Sequence, residues 1–230
     1  MKKLLMTAAA ATFAMGVAAS AGTLTIVSDW SGEIPGEGGG TTPENYVLKE
    51  LGMGSPLGGF YGSQIRVKEG TTRLKVELIG YEAANKNSFV FEGTEIFSGG
   101  GGKAVGDPIA TKFVDITTYA NNDVNSDGGL LDFLFTSQHW DTGEVLSVSN
   151  ENEDNPQKAA NGDINFFATF GDRDTRAGEV LWLFLDDVGQ DNDDNHDDLV
   201  IRISAVPLPA GALLLLSGLG VLAVRRKFSA

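Results

Sequence analysis

Between residues 22 and 205, apolar and polar positions recur mostly with a period of two. Leu74, Val76 and Leu78 alternate with Arg73, Lys75 and Glu77, the pattern of a strand with one face on a core and the other toward water. Residues 113–116 and 164–170 read the same way. Val180-Leu181-Trp182-Leu183-Phe184-Leu185 is apolar without interruption, which predicts a central strand covered on both faces, with Trp182 in the core. Residues 199–203 form the last strand candidate. Others lie at 23–30, 46–51, 64–68, 87–92, 130–136 and 144–149. Turn-rich stretches with Gly, Asn and Asp separate them, and the glycine runs at 36–40 and 99–102 read as flexible surface loops. No convincing amphipathic helix falls between 22 and 205. About ten short strands joined in this way predict an all-β fold, a two-layer antiparallel β-sandwich that is jelly-roll-like.

The two ends break this pattern. Met1-Lys2-Lys3 is a basic start, residues 4–17 are apolar and alanine-rich, and Ala19-Ser20-Ala21 supplies the small residues a signal peptidase requires. Residues 1–21 are therefore expected to be a signal peptide cleaved before Gly22, with an uncleaved anchor helix as the alternative. At the other end, Val206-Pro207-Leu208-Pro209-Ala210 opens an uncharged run over 211–224, which Arg225-Arg226-Lys227 closes. Residues 206–224 are about long enough to cross a bilayer as a helix, with the basic cluster on the cytoplasmic side. Two prolines separated by one residue are a poor start for an ordinary spanning helix.

This tripartite tail, residues 206–230, resembles the VPLPA variant of the PEP-CTERM sorting signals carried by exported proteins of Gram-negative bacteria. The resemblance implies an exosortase-type transpeptidase that cuts near the motif and removes the helix; a plain C-terminal anchor is the alternative. It also implies an inner-membrane precursor, touching the membrane only through its C-terminal helix, and a final place at the cell surface or outside the cell. It does not describe the domain that the tail follows.

That domain, residues 22–205, is long enough for one sizeable core. Five of the 17 basic residues but none of the 31 acidic ones lie in the two terminal segments, so the domain sets 12 basic side chains against all 31 acidic ones. Such a surface repels phosphate backbones, which argues against nucleic acid as a partner, and it attracts divalent cations. With no cysteine, an exported domain must be held by its core and by any bound metal.

No catalytic residue is assigned. Gly99-Gly100-Gly101-Gly102-Lys103 has Ala104 where a phosphate loop needs Ser or Thr. The two histidines, His139 and His196, lack the context of a Ser-His-Asp site. An enzyme would need two carboxylates facing each other across a cleft at glycosidase separations, whereas these carboxylates cluster in loops where mutual repulsion calls for a cation. One such loop is Asp123-Val124-Asn125-Ser126-Asp127-Gly128, with oxygens at positions 1, 3 and 5 and glycine at 6, as in the opening half of a helix–loop–helix calcium site. Position 12 is Leu134 rather than Glu, so Asp123, Asn125 and Asp127 form the weaker candidate, and a solvated turn is the alternative. The stronger candidate is residues 186–198, which hold seven aspartates in 13 residues. There Asp191, Asp193, Asn195 and Asp197 alternate and would converge on one ion if the segment wraps around it. Hard oxygens suit Ca²⁺, whereas zinc would want His or Cys. A charged loop without metal is the alternative.

The segment from Gly80 to Phe89, together with residues 180–187 and Asp193-Asp194-Asn195-His196-Asp197-Asp198-Leu199-Val200, resembles exported bacterial β-sandwich domains. In these, a Glu-Ala segment and an Asn precede a terminal Asp-rich turn into a Leu-Val strand. The resemblance implies calcium held by Glu82, Asn87, Asp193, Asn195, Asp197 and Asp198. This chain departs from the pattern in having His196 where an aromatic is common. Together these readings predict a non-enzymatic, calcium-stabilised, surface-sorted protein of the envelope or extracellular matrix. The alternative is a carbohydrate-binding module for matrix polysaccharide that uses Trp30 and Trp140 as stacking platforms.

Overall fold

A computed structural model describes residues 23–28, 30–34, 45–53, 56–61, 64–68, 70–151, 164–187 and 196–206. The strands among them are β1 (Leu24–Val27), β2 (Trp30–Ile34), β3 (Leu57–Tyr61), β4 (Gln64–Val67), β5 (Arg73–Phe91), β6 (Thr94–Asp115), β7 (Val124–Asn125), β8 (Gly128–Leu130), β9 (Phe133–Gln138), β10 (Val145–Ser149), β11 (Asn165–Thr169), β12 (Ala177–Gly178), β13 (Val180–Asp186) and β14 (Leu199–Ala205), with a short α-helix, α1 (Tyr46–Glu50), between β2 and β3 and a 3-10 turn (Ala120–Asn122) before β7. They form two antiparallel sheets packed as a sandwich. The smaller has the order β12-β1-β4-β8-β7. The larger has the order β10-β9-β5-β14-β13-β11-β3-β2, with β6 alongside β5.

The period of two sorts side chains as expected. Leu74, Val76 and Leu78 point between the sheets and meet Leu24, Ile26, Ile65 and Val67 of the smaller sheet, together with Phe89, Phe133, Phe135 and Phe166. Four phenylalanine rings from three strands pack edge-on or tilted there, with centroids 5.2–6.1 Å apart, a favoured arrangement for aromatic quadrupoles. The apolar strand β13 is covered on both faces. Leu181, Leu183 and Leu185 enter the inter-sheet core, while Phe184 joins a second cluster with Val47, Leu48, Phe167 and Val200 on the outer side. Trp182 is only half-buried at the margin of that second cluster, stacked on Phe184.

Three local expectations are corrected. Residues 46–51 form α1 rather than a strand. Val47, Leu48 and Leu51 fall on one helical face, and α1 packs on β5 at Gly80, where a Cβ would come within 2.7 Å of Val47 Cγ1. Residues 99–102 are not a surface loop but part of β6, paired with the stretch of β5 from Ala83 to Asn87. Glu77 lies on the polar phase of β5 yet is buried, because Arg202 of β14 and Lys75 close over it.

Strand β5 positions the site. β14 pairs with its first half, with Ala205 opposite Leu74 and Val200 opposite Gly80. β9 pairs with its second half, with Gln138 opposite Lys86 and Phe133 opposite Phe91. β6 runs along its other edge throughout. β14 and β9 thus share one edge of β5 end to end and leave a break near residues 81–85, where the β5–β6 register shifts.

Candidate functional site

Residues 186–198 join β13 to its antiparallel neighbour β14, so the chain leaves and re-enters the larger sheet at the same end. The described parts of this connection dock into the break in β5. The Glu82 N–H donates to the Asp197 carbonyl at 2.9 Å, and the Asp198 N–H to that of Leu185 at 3.2 Å. The Asp187 N–H donates to Asp198 Oδ2 at 2.7 Å. Asn87 Nδ2 donates to Asp187 Oδ2 at 2.7 Å and to the Asp198 carbonyl at 3.2 Å. On the outer side, Asp197 Oδ2 accepts the Val47 N–H at 2.6 Å, and the His196 N–H donates to Asn45 Oδ1 at 2.9 Å. A carboxylate thus caps the first turn of α1 from far along the chain, satisfying an N–H that the helix itself leaves open.

Burial gives this end its electrostatic character. Asp186, Asp187, Asp197 and Asp198 are all less than a tenth exposed. Burial pushes the Asp198 carboxyl well above the usual carboxylate range, and the charge of Asp187 adds to this; the Asp187 N–H works the other way, and Asp186 and Asp197 raise it further. Asn165 stands opposite Asp186 across β11 and β13 and is fully buried. Neither polar atom of its amide, nor Asn87 Oδ1, has a hydrogen-bond partner among the described residues. His196 is fully buried and packs edge-on to Tyr61 and Phe167, with centroids 5.5 and 6.2 Å away.

Of the residues singled out in the sequence, Asn87, Asp197 and Asp198 come together here. Glu82 joins through its backbone, while its carboxylate faces Lys103 Nζ at 3.6 Å. Asp191, Asp193 and Asn195 lie outside the described residues. Among the described residues no group of three or more His, Asp or Glu side chains is gathered closely enough to hold a metal ion. Asn45, Asn165, Asp186 and Asp187 belong to the site although the alternation of residues 191–197 did not single them out. The signal available was the change from continuous apolar residues to paired aspartates at the end of β13.

The weaker calcium candidate is built differently. Asp123 Oδ2 accepts from Arg66 Nη2 at 2.5 Å. That hydrogen bond holds the Asp123 carboxyl below its usual range; desolvation opposes it, and the guanidinium charge adds to the lowering. Asn125 Oδ1 accepts the Asp127 N–H at 2.8 Å, the bond of an Asx turn, and residues 124–130 close as the β7–β8 hairpin. Leu134 lies in β9.

Trp140 is 70 % exposed at the tip between β9 and β10, and the side chain of Trp30 is not among those described. Val206 closes the last strand by donating its N–H to the Arg73 carbonyl. Residues 207–230, with Pro207, Leu208, Pro209, Ala210, Arg225, Arg226 and Lys227, and residues 1–22, with Ala19 and Ala21, lie outside the described set. Among the described residues no helix is long and apolar enough to cross a membrane.

Protein-family models, curated proteins and solved structures contain no match to this chain.

Proposed function

We propose that this is an exported, non-enzymatic β-sandwich protein of the cell envelope or extracellular matrix of a Gram-negative bacterium, stabilised by Ca²⁺ bound within residues 186–198. The jelly-roll-like layout read from the sequence belongs to this proposal; the all-antiparallel pairing of both sheets supports it. Export and sorting rest on the signal-like residues 1–21 and on the VPLPA-type tail, with signal peptidase and an exosortase-type transpeptidase as the processing partners.

The observation that carries the calcium reading is the raised Asp198 carboxyl, buried among Asp187, Asp186 and Asp197 at the end of an acidic domain. A hard divalent ion relieves that repulsion and accepts oxygen ligands in loose geometry. The Oδ1 atoms of Asn87 and Asn165 are further oxygens of the right kind. Asp191, Asp193 and Asn195 would supply the remainder. The ion would be structural, since binding only to the folded state adds about 2.7 kcal/mol at 100 times the dissociation constant.

Melting curves of the full chain test this. Chelator is expected to lower the melting temperature, Ca²⁺ to restore it, and Mg²⁺ to restore less of it because Mg²⁺ dehydrates reluctantly. Curves that superimpose with chelator and with millimolar Ca²⁺ would reject the calcium reading. The sorting part has its own test, the intact mass of the surface fraction from the native host. Loss of residues 211–230 is expected, and a mature species that keeps Arg225-Arg226-Lys227 would reduce the tail to an anchor.

A further inference from the structure

The break in β5 has a second occupant besides the aspartates. On the side of the β9–β10 tip it opens a groove of about 730 Å³ between that tip and the glycine run of β6, within the usual size of a small-ligand site. Trp140 stands at its rim as the most exposed large apolar side chain among the described residues. It is held firmly for so exposed a group. Its main-chain N–H donates to Asn85 Oδ1 at 3.2 Å, which fixes the backbone at this position, and its ring stacks on His139, with centroids 6.0 Å apart and planes 26° from parallel. His139 is itself fixed, since Nδ1 accepts the N–H groups of Asp141 and Thr142 at 3.3 and 3.2 Å. One indole face is thus backed by imidazole and the other is left to solvent.

The opposite wall is bare by construction. Gly99 sits where a Cβ would come within 2.5 Å of the Tyr81 ring, and Gly100, at φ 141°, where a Cβ would come within 1.9 Å of the Asn85 carbonyl oxygen. Side chains are therefore excluded at these two positions, and that part of the groove is floored by main chain beside Tyr81 and Lys86. Gln138 and Asp141 also line it, the first offering a donor and an acceptor, the second only acceptors. A rigid, exposed aromatic face next to hydroxyl-seeking groups suits a ligand with one flat C–H face and a ring of hydroxyls.

We infer that this groove binds a neutral saccharide chain, with a sugar ring stacked on Trp140 and its hydroxyls bonded to Gln138 and Asp141. Neutrality follows from charge, because the lining sets Lys86 against Asp141 and so favours neither sign, while a chain of net −14 repels a polyanion. The inference does not rest on the calcium reading, and the two fail separately.

Calorimetric titration of the full chain, purified in a detergent without a sugar headgroup and with Ca²⁺ present, tests it. The probes are β-1,4-, β-1,3- and α-1,4-linked glucose hexasaccharides, with an oligogalacturonate of equal length as the anionic comparison. Saturable binding of at least one neutral probe is expected, with at least tenfold loss in Trp140→Ala, partial retention in Trp140→Phe and a severalfold loss in Asp141→Ala, all at unchanged melting temperature. Absence of binding to every neutral probe, tighter binding of the oligogalacturonate, or undiminished binding by Trp140→Ala would overturn the inference.

Discussion

The two aspartate-rich turns of this protein look alike on paper and behave oppositely in the fold. In residues 123–128 the first two oxygen-bearing side chains have local or ionic tasks. Asp123 faces the buried guanidinium of Arg66, and Asn125 closes its own turn. In residues 186–198 the ends of the connection are drawn into the sandwich, and the charges felt most by Asp198 are those of other carboxylates. One carboxyl is consequently held below its usual range and the other pushed above it. The density of aspartates does not decide whether a turn wants a cation. On the proposed reading, what decides it is whether the rest of the fold has already supplied a positive charge.

That principle can be broken first at Glu77, a buried carboxylate with its cations built in. Arg202 Nε lies 2.8 Å from Oε2 and Lys75 Nζ 2.9 Å from Oε1. Burial alone would raise the Glu77 carboxyl, but the bonds from Arg202 and Lys75 outweigh it and hold it below its usual range. Arg202→Ala puts Glu77 in the condition of Asp198. Breaking a buried pair costs about 3–5 kcal/mol; with Lys75 still in place, a loss of about 2–3 kcal/mol is expected in urea unfolding at pH 7. The pH dependence follows from the same shift. A depressed carboxyl contributes stability above its unfolded pKa of 4.5 and loses it as pH falls through the lower folded value. Arg202→Ala should therefore lose most at neutral pH and converge toward wild type below about pH 4. Equal midpoints for the two proteins at pH 7 would mean that the cation is incidental.

The intermediate test replaces one charge in the crowded turn. Asp198→Asn keeps an oxygen to accept the Asp187 N–H, which now binds Asp198 Oδ2 at 2.7 Å, and removes a carboxylate beside Asp187, Asp186 and Asp197. In chelator the variant is expected to be more stable than wild type by about 1–2 kcal/mol, since exchanging a buried charge for a neutral group is commonly favourable. In Ca²⁺ it is expected to lose most of the stabilisation that wild type gains. A variant destabilised equally in both buffers would show that the carboxylate is wanted for its hydrogen bond and not for an ion.

These contrasts also mark what could be read from sequence. The phase of residues 73–78 and the two-faced β13 were legible because burial of one face imposes a period that adjacent residues carry. Helix α1 was not, because five residues are too few to separate a helical face from a strand, and its Val47 N–H is capped by Asp197 from the far end of the chain. The burial of Glu77 and the pairing of Asp123 were hidden for the same reason. Arg202 and Arg66 reach them only through strand neighbours distant in sequence. At the candidate site, the acidity of residues 186–198 was plain. What local periodicity could not say is that Asp186 and Asp187 would be buried together with Asp197 and Asp198.

The smallest expected effect comes from the first turn and fixes the other side of the comparison. Asp123 is substantially exposed, its side chain retaining 40 % of its accessible surface, while Arg66 retains 4 %. Water screens the pair on the Asp123 side, and Arg66 keeps a second bond, from Nη1 to the Gly128 carbonyl at 3.2 Å. Asp123→Ala should therefore lower the urea midpoint only slightly at pH 7. Because the Asp123 carboxyl is held below its usual value of 3.8, the difference from wild type should shrink further as pH falls through that region, where wild type loses the same contribution. The decisive reading is the calcium response. A turn whose aspartate already has a cation has no use for another, so Asp123→Ala should gain as much from Ca²⁺ as wild type does. Should Asp123→Ala abolish the calcium stabilisation while Asp198→Asn preserves it, the assignment is inverted. The ion would then belong to the β7–β8 hairpin, with Arg66 as the group it displaces.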